Sequence, residues 1–250
     1  MIPAQTKTIK IIISLTALLF LQASFGQTLK DCSTCKTQLI KKEQVKNLNV
    51  DNIRLLTNEI FARNGYMFEN SRFQEYFENK SWYKSVGDNK KVVLNDIEKK
   101  NLAFFKDVTK TLEDQKKELT SQLKNFKELV FQDKISELQN AYNFSYEKGN
   151  SEEKKLLKEV FRKINLNDIN YYKSKGMFKT IEDNGFVQIE YMVYIENDEV
   201  TITYNYMAHS KIIEDFDEYT DYLSENEFSY NWQFKFTRNK LNYIRLAVAG

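Results

Sequence analysis

At 250 residues the chain is long enough for one large or two small domains with a buried core. Its 37 basic residues nearly balance 35 acidic ones, which removes any general expectation of a nucleic-acid partner. One histidine, His209, excludes a multi-histidine metal centre, and no G-x-S-x-G, Walker or G-x-G-x-x-G motif occurs.

Lys7 and Lys10 precede the apolar run from Ile11 to Leu21, and small and polar residues follow. This layout predicts a secretory signal peptide over residues 1–26, cleaved after Gly26. The apolar run is about half the ~20 residues that a spanning helix needs, so no membrane span is expected after processing. Neither cysteine directly follows the run, so lipoprotein processing is not indicated. The mature protein is expected in a secreted or periplasmic location, where disulfides persist.

A short tail, residues 27–36, carries Cys32 and Cys35. A thioredoxin-like site needs this C-x-x-C pair at a helix start after a strand, and that family's pattern adds a proline opposite the pair. No strand pattern precedes Cys32, and the only proline is Pro3, so a local disulfide is the expected state. Two cysteines without further ligands do not make a zinc site, and no cofactor or metal is expected.

Residues 37–110 read as a small helical domain. Asn49 or Asp51 can cap a helix with Ile53, Leu56 and Ile60 at helical spacing, widened by Leu55 and Ala62. Gly65 stops it, and Met67 and Phe68 can fold back onto its apolar face. Ser71 to Gln74 has capping-box spacing and opens a short helix with Phe73, Tyr76 and Phe77 inward; Trp82 and Tyr83 follow. Asn95 to Glu98 repeats the capping logic at a third helix.

The run Leu55-Leu56-Thr57-Asn58-Glu59-Ile60-Phe61-Ala62-Arg63-Asn64-Gly65-Tyr66-Met67-Phe68, with Phe73-Gln74-Glu75-Tyr76-Phe77, Trp82-Tyr83 and the Asn95–Asn101 segment, resembles the YARHG domain, from Thr37 to about Asp107. Phe61 stands where the namesake motif has Tyr, and Asn64 where it has His. The resemblance implies an extracellular module in a secreted bacterial protein and no defined mechanism. Asparagine has no titrating proton, so this motif is not expected to perform acid–base chemistry.

Glu59 and Arg63 stand four apart with the acid N-terminal, the favoured order for a helix pair. Glu59, Arg63, Asn64, Tyr66, Trp82 and Tyr83 are the candidate interaction residues, since an arginine beside exposed aromatics can clamp a carboxylate or phosphate. The structural alternative takes precedence: Glu59 orients Arg63, while Arg63 and Asn64 satisfy carbonyls at the helix end.

Helical spacing then runs from Ile97 through Phe105, Leu112, Leu119 and Phe126 to Tyr142, a long connecting helix with a break expected near Thr120-Ser121. Residues 111–250 read as helices plus a sheet. Ser151 is read as N-cap of a helix whose Glu152 and Glu153 suit its positive end. Four strands follow: Val187–Ile195, Val200–Tyr206, Phe228–Phe236 and Leu241–Val248, with turns at Asn197-Asp198 and Arg238-Asn239. The expected class is α+β, with a four-stranded antiparallel sheet packed on helices.

Tyr191, Tyr204, Trp232 and Phe234 are candidate pocket-lining residues, although ordinary core is the leading reading. Between Glu182 and Glu227 thirteen acids face Lys211 alone, densest from Glu214 to Glu227. A calcium loop would need its turn glycine, which is absent, so a solvated acidic helix is preferred. The functional expectation is a non-catalytic binding or interaction protein of the cell envelope, with a protein or glycan partner. The alternative is a carboxylate-dependent hydrolase of wall or extracellular glycan.

Overall fold

The structure, a computed structural model, describes residues 27–172, 175–207, 210 and 227–250. The expected signal peptide, His209 and the acidic stretch up to residue 226 lie outside the described residues. The chain divides into two compact units, one ending at Thr109 and one covering Lys110–Gly250.

The first unit contains α1 (Lys42–Val45), α2 (Val50–Arg63), α3 (Ser71–Glu78), a 3-10 turn (Asn89–Lys91) and the start of α4 (Asp96–Phe131). Asn49 caps α2 by accepting the Asn52 N–H at 3.0 Å. Ile53, Leu56, Ile60 and Ala62 form the buried face of α2, and Phe77 of α3 and Phe105 of α4 are fully buried in the same unit. Burial of each such large side chain contributes about 1.5–3 kcal/mol. At the other end of α2 the Gly65 N–H donates to Ala62 O and the Tyr66 N–H to Phe61 O, the paired bonds of a Schellman stop. Gly65 supplies the left-handed residue that this stop requires, at φ +80°. The rings of Phe61 and Tyr66 close over it with centroids 5.7 Å apart.

The cap of α3 is Asn70, whose side chain accepts the Arg72 N–H at 3.0 Å, and not Ser71. Gln74 is drawn away from a capping box by the Phe68 N–H, which donates to its Oε1 at 2.7 Å. At α4 the box expected from Asn95 and Glu98 is present: the Glu98 N–H donates to Asn95 Oδ1 at 2.9 Å, and the Asn95 N–H to Glu98 Oε2 at 2.8 Å.

The second unit contains the rest of α4, α5 (Ile135–Tyr142), α6 (Glu153–Lys163) and six strands. The strands are β1 (Asn170–Tyr172), β2 (Lys175–Asp183), β3 (Gln188–Glu196), β4 (Glu199–Met207), β5 (Phe228–Thr237) and β6 (Lys240–Ala249). They form one antiparallel meander in the order β1-β2-β3-β4-β5-β6. The α+β class is as expected, but the sheet has six strands and not four. β1 spans three residues, and β2 turns Gly176, Phe178 and Thr180 toward the packed side, which leaves a weak apolar alternation to read.

Helix α4 continues through Thr120, whose hydroxyl donates to Lys116 O at 3.0 Å, and stops at Phe131. The break falls at Asp133, which takes φ 56° before α5 begins. One core joins Leu123 and Phe126 of α4, Leu157 and Phe161 of α6, and the packed sheet face from Val193 to Phe234. The β3–β4 turn places Asn197 at φ 56°, and the β5–β6 hairpin places Arg238 and Asn239 at φ 53° and 57°, both left-handed, as a type I′ turn requires.

Candidate functional site

The last turn of α2 aims its charged pair at a cavity on the first unit. Glu59 is 6% exposed, and its Oε1 accepts from both Arg63 Nε, at 2.8 Å, and Arg63 Nη2, at 2.6 Å. The four-residue spacing puts acid and base on one face with the acid N-terminal. The guanidinium carbon lies 4.1 Å from the Trp82 ring centroid, so the indole covers one guanidinium face. An ion pair on one edge and a ring on one face hold a side chain that would otherwise sample many rotamers.

Arg63 and Trp82 stand in the wall of a cavity of about 260 Å³. Leu55, with Leu29 and Leu48, supplies apolar surface, and Lys30, Asp31 and Lys80 supply charge. Lys80 Nζ rides over the Tyr76 ring at 4.4 Å. Asp31 accepts the Ser33 N–H at 2.9 Å, and hydrogen bonds from the Ser33 side chain and backbone hold its carboxyl below the usual carboxylate range. A smaller cavity of about 210 Å³ also borders Arg63 and Trp82, and it reaches the disulfide.

The remaining sequence candidates in this unit face elsewhere. Asn64 Nδ2 donates to Ile60 O at 2.8 Å and to Glu98 Oε1 at 2.7 Å, so it ties α2 to the start of α4. Tyr83 donates its hydroxyl to Tyr66 O at 2.9 Å and accepts from Gln74 Nε2 at 3.2 Å. Cys32 and Cys35 are disulfide-bonded and buried. Their loop is sewn to α4 by Asn101, which donates to Cys35 O and Gln38 O and accepts the Ile40 N–H, all within 2.9 Å. Lys30, Asp31 and Lys80 escaped the sequence reading; the placement of Lys80 two residues before Trp82 was the available signal.

In the second unit Tyr191, Tyr204, Trp232 and Phe234 are buried members of the core, none more than 5% exposed. The Tyr191 hydroxyl donates to Glu159 at 2.7 Å. The Trp232 indole donates to Glu153 Oε1 at 3.0 Å. Glu153, read as an acid suited to the positive end of its helix, is fully buried. Among the described residues no group of three or more His, Cys, Asp or Glu side chains is placed to hold a metal ion. Among them, too, no helix is long and apolar enough to cross a membrane.

A disulfide-stitched helical module with an Arg–Gly helix stop is the class that these features define. The YARHG domain family model matches residues 31–110, so the chain carries that domain. The match begins six residues before Thr37 and takes in both cysteines. YARHG domains occur in extracellular or periplasmic proteins. The rest of the chain has no family match, and comparison with curated proteins and with solved structures finds none.

Proposed function

We propose that the mature chain is a secreted or periplasmic, non-catalytic binding protein of the cell envelope, and that its YARHG domain makes the contact through the Arg63 pocket. The observation that carries this reading is the posture of Arg63, held on one edge by buried Glu59 and on one face by Trp82, at the wall of a cavity. A guanidinium ordered before its partner arrives loses little further entropy on binding. The pocket's two acids fit a binding role better than a catalytic one. Glu59 is committed to Arg63 as a hydrogen-bond acceptor, and hydrogen bonds from Ser33 hold the Asp31 carboxyl below the usual carboxylate range, so Asp31 is not set to act as a general acid.

The test is incubation of the mature protein with purified peptidoglycan, with sedimented protein and released fragments measured separately. Sedimentation that weakens in Arg63→Gln, without release of fragments, supports the reading. Fragment release that disappears when one carboxylate is replaced would overturn it in favour of a glycan hydrolase.

A further inference from the structure

The geometry points to a ligand class for this pocket: a short peptide ending in a free carboxylate, its acid group on the Nη1 edge of Arg63 and its last side chain on the leucine surface. This inference rests on the pocket being the binding site and adds the chemistry of what enters it.

Three observations converge. Glu59 Oε1 occupies the Nε and Nη2 side of the guanidinium, and among the described residues no acceptor meets Nη1. A planar fork held at one edge presents its remaining donors in a fixed direction, the arrangement that recognises a planar carboxylate. Charge selects further. With Glu59 and Arg63 cancelling, Lys30 and Lys80 outweigh Asp31 by a single charge, which suits one anionic group and disfavours a polyanion that would approach ionised Asp31. Size and polarity supply the last constraint. About 260 Å³ accommodates an end group and little more, and half-buried Leu29, Leu48 and Leu55 offer it apolar surface. A chain terminus with a small apolar side chain satisfies all three, in the mode by which other binding domains capture terminal carboxylates.

The experiment titrates the mature protein with N-acetyl-Ala-Ala, with its C-terminal amide and with inorganic phosphate. The readouts are the Trp82 indole N–H resonance and calorimetry. The acid is expected to shift the Trp82 signal, with the amide about tenfold weaker or worse, because the neutral amide cannot make the charge-assisted contact with the guanidinium. Arg63→Gln should remove this preference for the acid, and Lys80→Gln should weaken acid binding severalfold with the fold intact. If Arg63→Gln does not fold, the acid–amide comparison and Lys80→Gln decide the matter. Equal binding of acid and amide overturns the proposal, as does phosphate binding as tightly as the peptide. If the protein sediments with peptidoglycan but the acid peptide neither binds nor competes, the ligand assignment falls and the binding-protein reading survives. If the acid peptide binds but nothing sediments, the pocket chemistry stands and the envelope reading falls.

Discussion

Asn64 Nδ2 donates to Glu98 Oε1 at 2.7 Å, and this single bond joins the end of α2 to the capping box that begins α4. Glu98 is 2% exposed, with one carboxylate oxygen on the Asn95 N–H and the other on Asn64. The position at which the namesake motif has His is therefore filled here by a neutral donor to a buried acid. Asn64→Ala strips that oxygen of its partner and is expected to cost about 1–3 kcal/mol. Asn64→His, which can still present one N–H, should cost less. Hydrogen exchange of the α2 amides measures both.

Gly65→Ala meets two obstacles at once. The residue sits at φ +80°, and an added Cβ would lie 2.6 Å from Val86 Cγ1 and 2.8 Å from Lys84 O. The 84–86 segment is also bonded there, because the Val86 N–H donates to Gly65 O at 3.0 Å. Strain and overpacking together predict a loss of at least about 2 kcal/mol in the first unit. Gly87→Ala serves as the comparison: its φ is +74°, but nothing lies within 4 Å of the added carbon, so it should cost less. The difference between the two in chemical denaturation isolates the packing part.

Asn101 is 1% exposed and makes three hydrogen bonds to the backbone of the disulfide segment. Asn101→Leu has similar bulk but leaves two carbonyls and one N–H without their partner. Each unmet buried group costs about 1–3 kcal/mol, so this variant should destabilise the first unit more than disulfide reduction, which opens only a four-residue loop worth about 2 kcal/mol. Thermal unfolding of the variant, against wild type with and without reductant, checks the order.

What could be read in advance follows the range of the interaction. The α2 cap at Asn49, the stop at Gly65 and the box at Asn95 and Glu98 are local, and each was legible from residue types three or four apart. The last four strands, β3 to β6, show enough apolar alternation in sequence to be seen, and Arg238-Asn239 marks its hairpin. β2 is not legible because its packed positions include a glycine and a threonine, and the α4 break falls at Asp133 rather than near Thr120-Ser121 because an aspartate at positive φ carries no strong local signal. At the pocket the Glu59–Arg63 pair shows in the spacing, whereas Lys30 and Asp31 are brought there by tertiary packing of the N-terminal segment. Part of that packing is the Leu29 N–H donating to Gln44 O at 2.8 Å.

Glu153 contributes one pH dependence to the second unit. It is fully buried, and it accepts the Trp232 indole N–H at 3.0 Å and the Glu147 N–H at 2.6 Å. Burial raises its pKa above the ordinary 4.5, with those two hydrogen bonds opposing. Because the folded-state value is the higher one, the folded protein binds the extra proton more tightly than the unfolded chain. This contribution to stability is fully present below 4.5 and is lost as pH rises through the folded value. Glu153→Gln removes the titration while its amide oxygen can still accept from Trp232, so stability of the variant relative to wild type should rise as pH increases above 4.5. Glu153→Ala leaves the Trp232 indole N–H unpaired in the core and should be less stable than Glu153→Gln by about 1–3 kcal/mol. Hydrogen exchange of β4 and β5 amides between pH 4 and pH 8, corrected for intrinsic exchange, reads both effects. A difference between Glu153→Gln and wild type that does not change with pH would show that Glu153 is not the group that titrates.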